Sequence, residues 1–179
     1  MTHHRMTHHP ADLLQDRMHY TTTHSPLGEL LLAGRETGDG FALVSLSVPG
    51  QRRGAVVGPD WRRDAGPFAE ALLQLRAYFA GEAKEFRLPL APQGTEFRQR
   101  VWRALDDVPF GGTTTYARLA EAAGSPGAVR AVGGAVGANP LLVVRPCHRV
   151  IGSDGTLTGY AGGLDRKRIL LALEGVPLP

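Results

Sequence analysis

The spacing of apolar residues changes character several times along the chain, and each change predicts an element. Between Met18 and Val48, "HYTTTHSPLGELLLAG" and "GFALVSLSV" are apolar, β-branched runs divided by the turn-rich "GRETGDG". That pattern predicts antiparallel strands. "QRRGAVVGPDWRRDAGP" reads as a loop, because proline and glycine interrupt it repeatedly. The period then becomes helical. In "PFAEALLQLRAYFAG", Phe68, Leu72, Leu75 and Phe79 recur at spacings of 4, 3 and 4, with Pro67 suited to the first turn and Gly81 just past the end. "EAKEFRLPLAPQG" has no periodicity and two prolines in four residues, which places a domain boundary near residue 92.

Helical periods dominate the second half. Thr95 is placed to cap a helix through "EFRQRVWRALDDV", with Phe97, Val101, Trp102 and Leu105 facing a core. After the break at "PFGGTTTY", Tyr116, Leu119, Ala120 and Ala123 fall at i, i+3, i+4 and i+7. Gly124 closes that helix, Ser125 is placed to cap the next, and Pro126 takes its first position. Two helices joined so tightly have the layout of a helix-turn-helix. The second, "PGAVRAVGGAVGANP", carries Gly127, Gly133, Gly134 and Gly137, each costing about 1 kcal/mol relative to alanine inside a helix. Arg130 is its only long polar side chain, whereas a helix reading bases in the major groove carries several Arg, Asn or Gln residues. Two explanations remain open: tight packing on another helix at Gly133 and Gly134, or close backbone approach to an outside surface with Arg130 as the probe. Only the second accounts for Arg130.

Composition narrows the class. The chain has 179 residues, 42% apolar and 21% charged, an ordinary globular balance. It contains no apolar run of about 18 residues, so no membrane span is expected. Its start lacks the layout of a secretory signal, so a cytosolic location is expected. Residues 1–17 read as a disordered tail, and His3, His4, His8 and His9 within it as part of that tail rather than a metal site. The formal charge of +3 sits wholly in the C-terminal half: residues 1–92 hold ten basic and ten acidic side chains, residues 93–179 ten and seven. A basic half is compatible with nucleic acid.

The only cysteine, Cys147, rules out an internal disulfide and any multi-cysteine metal cluster. Asn139-Pro140 ends the glycine-rich helix, because the residue before proline avoids the α region. "LLVV" then reads as a short buried strand leading into Arg145-Pro146-Cys147-His148-Arg149. A thiol becomes nucleophilic when a base or a positive charge lowers its pKa. Neighbouring side chains of a strand point to opposite faces, so a Cys147–His148 relay needs a turn or a bridging water. The group that orients the imidazole is one of Asp154, Asp165 and Glu174. On these grounds Cys147 is either an inert buried thiol or a nucleophile.

Taken together, "GTEFRQRVWRAL", "VPFGGTTTYARLA", "AVRAVGGAVGANP", "RPCHRVIG" and "GYAGGLDRKRILLALEG" closely resemble the O6-alkylguanine-DNA alkyltransferase family, the methylated-DNA–protein-cysteine methyltransferases. The resemblance runs in order from about residue 94 to 175. It implies an α+β fold: an N-terminal α/β domain (18–92) with an antiparallel, ribonuclease-H-like sheet, and a C-terminal helical domain (93–179) with a winged helix-turn-helix. It implies direct-reversal repair: a single, irreversible transfer of an alkyl group from O6-alkylguanine in duplex DNA to Cys147 after base flipping. O4-alkylthymine is left open as a second substrate. In that scheme Glu174 orients His148, which deprotonates Cys147 through water. Tyr116 helps to rotate the nucleotide and protonates N3 of the leaving guanine, and Asn139 fixes the hinge before the active site. Tyr160 and Val136 line the alkyl pocket, and the backbone at Cys147, Val150 and Ala161 meets the guanine edge. Arg130 fills the gap left by the flipped base, while Ala128, Ala131 and Gly133 face a minor groove.

No cofactor and no metal are implied, since the zinc-binding cysteines of some members are absent. The implied partner is double-stranded DNA and not a membrane, bound by a monomer able to cluster along it in the cytoplasm or nucleoid. Three departures stand out. Gly112 replaces a common acidic residue and Ala161 a serine; both are expected to be neutral. Arg145 replaces an apolar residue and has three readings: raising DNA affinity, stabilising the thiolate, or pointing to solvent. A non-transferring lesion-binding protein and a cysteine hydrolase with a Cys147–His148–Glu174 triad are the competing functions. The presence of Cys147 argues against the first; nothing in the sequence supplies the oxyanion hole needed by the second.

Overall fold

The structure, a computed structural model, describes residues 17–178. The histidine-rich start, with the expectations attached to it, lies outside the described residues save for Arg17.

The N-terminal half is a four-stranded sheet of order β3-β2-β1-β4, made of β1 (His19–Ser25), β2 (Gly28–Thr37), β3 (Gly40–Ser47) and the short β4 (Arg62–Arg63). The first three form an antiparallel meander and β4 joins β1 in parallel. The expected turn "GRETGDG" is too long. Arg35, Glu36 and Thr37 pair with Ala42, Phe41 and Gly40, so only Gly38-Asp39 turns. The first apolar run is in turn two strands, split at Pro26-Leu27. Small hydroxyls fasten both hairpins. Ser25 Oγ accepts from Leu27 N and donates to Gly28 O, and Thr37 Oγ1 does the same with Asp39 N and Gly40 O. Side chains that satisfy local backbone groups favour such turns.

Helix α1 (Ala69–Phe79) packs on this sheet after one 3-10 turn at Gly66–Phe68. Phe68 of that turn and Ala71, Leu75 and Tyr78 of the helix are buried, whereas Leu72 and Phe79 are only partly buried. The inward stripe is therefore rotated from the expected one. Tyr78 takes the interior in place of Phe79 because its hydroxyl reaches a buried carboxylate, described below.

The segment after α1 is not a free linker. Leu43 of β3 donates to Pro89 O and accepts from Ala91 N, and Leu46 donates to Pro140 O and accepts from Leu142 N. The outer edge of β3 is thus covered by the connecting segment and by the stretch leading to Cys147, which protects an edge that would otherwise be open. One apolar core results, running from Leu27 to Leu170 across residue 92.

The remaining helices are α2 (Glu96–Asp106), α3 (Tyr116–Ala122), α4 (Val129–Gly137) and α5 (Leu164–Leu173). Thr95 caps α2 as expected, its hydroxyl accepting from Arg98 N at 3.2 Å. Trp102 of α2 is buried and donates from Nε1 to Ala135 O of α4 at 2.8 Å. The α3–α4 connection differs from expectation. Ser125–Ala128 is a turn closed by Ala128 N to Ser125 O, and α4 begins at Val129. Ser125 therefore caps nothing, and Pro126 and Gly127 belong to the turn, where a fixed φ and a missing side chain suit it. Short strands β5 (Thr114–Thr115) and β6 (Val150–Ile151) pair in parallel beside these helices. None of the helices among the described residues is long and apolar enough to cross a membrane.

The expected strand at "LLVV" is a tight turn. Only Leu141 bridges to Leu46, and Val143 has φ of +71°. A β-branched residue with positive φ is an outlier whose strain persists only where neighbours over-determine it. Here Asn139 does so: its Oδ1 accepts from Leu141 N and its Nδ2 donates to Arg145 O.

Candidate active site

Cys147 opens a 3-10 turn, Cys147–Arg149, that follows this strained bend. The turn answers the stereochemical objection to adjacent cysteine and histidine, because the two residues are not in a strand. Cys147 is buried yet lines a cavity of about 340 Å³ together with Tyr116, Gly133, Val136, Tyr160 and Ala161. Five of the residues singled out from the sequence thus meet the thiol at one cavity.

Behind the thiol lies a buried polar cluster. Glu174, the residue capping the end of α5, accepts from His148 Nε2 at 2.7 Å, Tyr78 Oη at 2.6 Å, Arg149 Nε at 2.7 Å and Nη2 at 3.0 Å, and Gly111 N at 3.2 Å. Asp154 binds Thr156 and Asp165 pairs with Arg168 on the surface, so neither orients the imidazole. Burial alone would raise the Glu174 pKa, but donation from His148 and Arg149 brings it down to about 2. Glu174 is therefore a carboxylate, which only accepts, so His148 Nε2 carries the hydrogen. The other ring nitrogen, Nδ1, is buried and has no partner among the described residues.

Burial holds His148 below its ordinary pKa, and burial pushes the Cys147 thiol up to about 11 against the pull of Asn139 and Lys167. The resting pair at neutral pH is thiol and neutral imidazole. Stabilising the thiolate is one of the three readings for Arg145, but both flanking arginines are engaged elsewhere. Arg149 is bound to Glu174 and to Val108 O. Arg145 is 6% exposed and grips Asp106, at the end of α2, through Nε at 3.3 Å and Nη2 at 3.4 Å. It neither points to solvent nor offers its charge to the thiol; it ties the bend to α2.

The other expected residues separate into three groups. Val150 does not line the cavity. Its N–H donates to Cys147 O and its carbonyl accepts from Lys167, so its backbone is engaged within the protein. Ala128 caps α4 at its start, while Arg130 and Ala131 are exposed on that helix. The glycines of α4 are not there for helix packing. A side chain at Gly134 or Gly137 would meet nothing within 4 Å, and one at Gly133 only the Tyr116 ring at 3.9 Å. Their helix-weakening effect has no internal compensation, which leaves the open surface of α4 as the reason for them.

Sequence reasoning missed Tyr78, Lys167, Arg52 and Arg53. Lys167 lies seven residues before Glu174, two turns along one face of α5, and that spacing was a usable signal. It is fully buried, and Nζ donates to Val150 O at 2.5 Å, Thr158 O at 3.1 Å and Gly159 O at 3.4 Å. Burial lowers its pKa to about 8. It therefore pins the segment that carries Tyr160 and Ala161. Lys167→Met keeps the length but leaves these carbonyls without their donor. The expected result is a loss of about 1–3 kcal/mol in urea unfolding, with slower reaction at Cys147.

The pKa shifts also set an acid limit. The unfolded chain protonates Glu174 near 4.5 and the folded protein only near 2, while folded His148 resists protonation below its unfolded 6.5. In both cases the unfolded state binds more protons, so stability falls as pH decreases. Denaturant midpoints are expected to decline from about pH 6.5 downward and most steeply below 4.5; a flat profile from 6.5 to 3 contradicts the cluster's ionisation.

Comparison with known proteins shows the family. Residues 18–92 match the family model described as 6-O-methylguanine DNA methyltransferase, ribonuclease-like domain, and residues 96–176 match the same family's DNA binding domain. A methylated-DNA–protein-cysteine methyltransferase of Mycolicibacterium paratuberculosis is 51% identical over 156 residues, covering 87% of this chain and 91% of that protein. One from Methanosarcina acetivorans is 50% identical over 159 residues, covering 88% and 99%. The crystal structure of Mycobacterium tuberculosis OGT in complex with DNA superposes with a TM-score of 0.79 at 49% identity, covering 87% of this chain and 92% of that one. The chain belongs to the methylated-DNA–protein-cysteine methyltransferase family.

Proposed function

We propose that this protein repairs O6-alkylguanine in duplex DNA by moving the alkyl group, once and irreversibly, onto its own Cys147. The observation that supports this most is the unpartnered, buried Nδ1 of a His148 held by Glu174, next to the chain's only thiol on a cavity. In this reading residues 18–92 form a supporting domain, and residues 93–179 bind DNA and carry out the transfer, acting in the cytoplasm on nucleoid DNA.

The steps balance. His148 Nδ1 takes the Cys147 proton through a bridging water, and Glu174 stabilises the imidazolium that forms. The thiolate attacks the alkyl carbon in line; the C–S bond forms as the C–O6 bond breaks, and the electron pair leaves with guanine. Tyr116, whose hydroxyl lies 3.2 Å from Thr158 Oγ1, gives its proton to N3 of that leaving base; the phenolate then regains a proton from solvent and the His148 imidazolium gives its proton up to solvent. The product thioether has no easy reversal, so the protein acts once. A resting thiol is compatible with this scheme, since deprotonation occurs only when substrate is aligned.

DNA approach is assigned to α4. Its uncovered glycines allow a backbone to come close, and exposed Arg130 fills the space vacated by the flipped nucleotide. Tyr160 and Val136 line the alkyl pocket, Ala161 meets the base through its backbone, and Asn139 holds the bend. With methylated duplex in excess, guanines restored in the DNA are expected to plateau at one per protein molecule. Continued turnover indicates a hydrolase instead, and binding without any conversion indicates a lesion-binding protein.

A further inference from the structure

The cavity that holds Cys147 is not made by the C-terminal half alone. Arg52 and Arg53, from the loop between β3 and β4, line it together with Gly133, Gly134 and Gly137 of α4. That loop is held firmly. Val48 N donates to Gln51 Oε1, Gly54 N to Gln51 O, and Ala55 N to Ser47 Oγ. Arg52 N donates to Ala161 O at 3.2 Å, which joins the loop to the segment that forms the cavity's other wall. Arg53 adopts φ of +58°, a conformation an arginine rarely takes and one that loops retain where function requires it.

Both arginines are exposed, and neither guanidinium makes an ion pair or hydrogen bond among the described residues. Other arginines around the site are committed: Arg145 to Asp106, Arg149 to Glu174, and Arg166 to Leu27 O and Gly162 O. Two uncommitted cations therefore stand at the rim of a cavity whose opposite rim is a bare helix backbone. Counted with these two arginines, the N-terminal half is electrically balanced, with ten basic and ten acidic residues through residue 92, so they do not belong to a half with excess positive charge.

A nucleotide turned out of a duplex carries its base into the pocket and leaves its two flanking phosphates at the mouth. Guanidinium forks match phosphate oxygens in charge and geometry. We propose that Arg52 and Arg53 grip the phosphates flanking the flipped nucleotide, so that the N-terminal domain takes part in holding DNA at the active site. This rests on the repair reading above.

The test compares wild type, Arg52→Ala and Arg52→Ala/Arg53→Asn; asparagine tolerates the left-handed backbone at residue 53. Transfer rates are measured at 50 and 200 mM salt on three substrates: a duplex carrying O6-methylguanine, one carrying O6-carboxymethylguanine, and free O6-benzylguanine. The double variant is expected to be slower on both duplexes on the order of tenfold at 50 mM salt, with a log–log salt slope shallower by up to about two. Its rate on the free base should match wild type, which also reports an intact fold. An unchanged duplex rate, or equal loss on the free base, overturns the proposal. Loss confined to the carboxymethyl duplex also overturns it, assigning the cations to an acidic adduct instead of phosphate. If wild type transfers from neither duplex nor free base, the repair reading itself fails and the phosphate grip with it.

Discussion

Replacing Cys147 by alanine is expected to abolish alkyl transfer completely while leaving the fold intact. No other thiol exists in the chain, and no second nucleophile lines the cavity with an activating base behind it. Burial keeps the thiol protonated at rest, its pKa pushed up to about 11, so the substitution removes a neutral sulfhydryl and strands no buried charge. Loss of one small buried group changes stability by about 1 kcal/mol or less. Binding to methylated duplex should survive, because α4 and Arg130 are untouched. A variant that still acquires the alkyl group at a measurable rate shows that another residue is the acceptor.

Replacing Glu174 by glutamine is expected to damage both stability and reaction. The carboxylate accepts five hydrogen bonds from Tyr78, His148, Arg149 and Gly111. Glutamine offers one oxygen and turns an amide donor toward donors that are already there. It also leaves the Arg149 guanidinium, 9% exposed, without its counter-charge. Removing one member of a buried pair costs about 3–5 kcal/mol, a large share of the 5–15 kcal/mol typical of a folded domain. Transfer falls as well, since the imidazolium formed at His148 loses its stabilising anion. Urea unfolding with parallel single-turnover rates checks both; a midpoint within experimental error of wild type contradicts the cluster's role. Tyr78→Phe, which removes one neutral donor only, should fall between wild type and Glu174→Gln in both measurements.

What could be read from the residues followed their dependence on local pattern. The α2 cap at Thr95 and the α2 core face were legible because one helix period and one hydroxyl decide them. The hairpin turn was misjudged because Arg35, Glu36 and Thr37 look like loop residues, yet cross-strand pairing with β3 overrides their composition. "LLVV" looked like a strand for the opposite reason: its β-branched residues favour extension, but a buried amide at Asn139 bends them. The site's chemistry was partly legible, since Cys147 and His148 were singled out from the residues and Glu174 by the family resemblance, and His148 is bound to Glu174. Their partners were not. Tyr78 lies 96 residues from Glu174, and Arg52 109 residues from Ala161, distances over which no spacing rule carries information. Arg145 illustrates the same limit. Its partner, Asp106, sits on another helix, so none of its three expected roles anticipated an internal clamp.

The most direct measurement is the intact mass of the protein after mixing with an equimolar duplex containing one O6-methylguanine, followed by peptide mapping. Transfer to Cys147 predicts a gain of about 14 Da in the whole population, the mass of a methyl group replacing the thiol hydrogen that leaves by the acid–base steps above. The gain should lie on the peptide containing Cys147 and be absent from Cys147→Ala. An unchanged mass under conditions where the duplex is bound, or the same gain on a different peptide, contradicts the account.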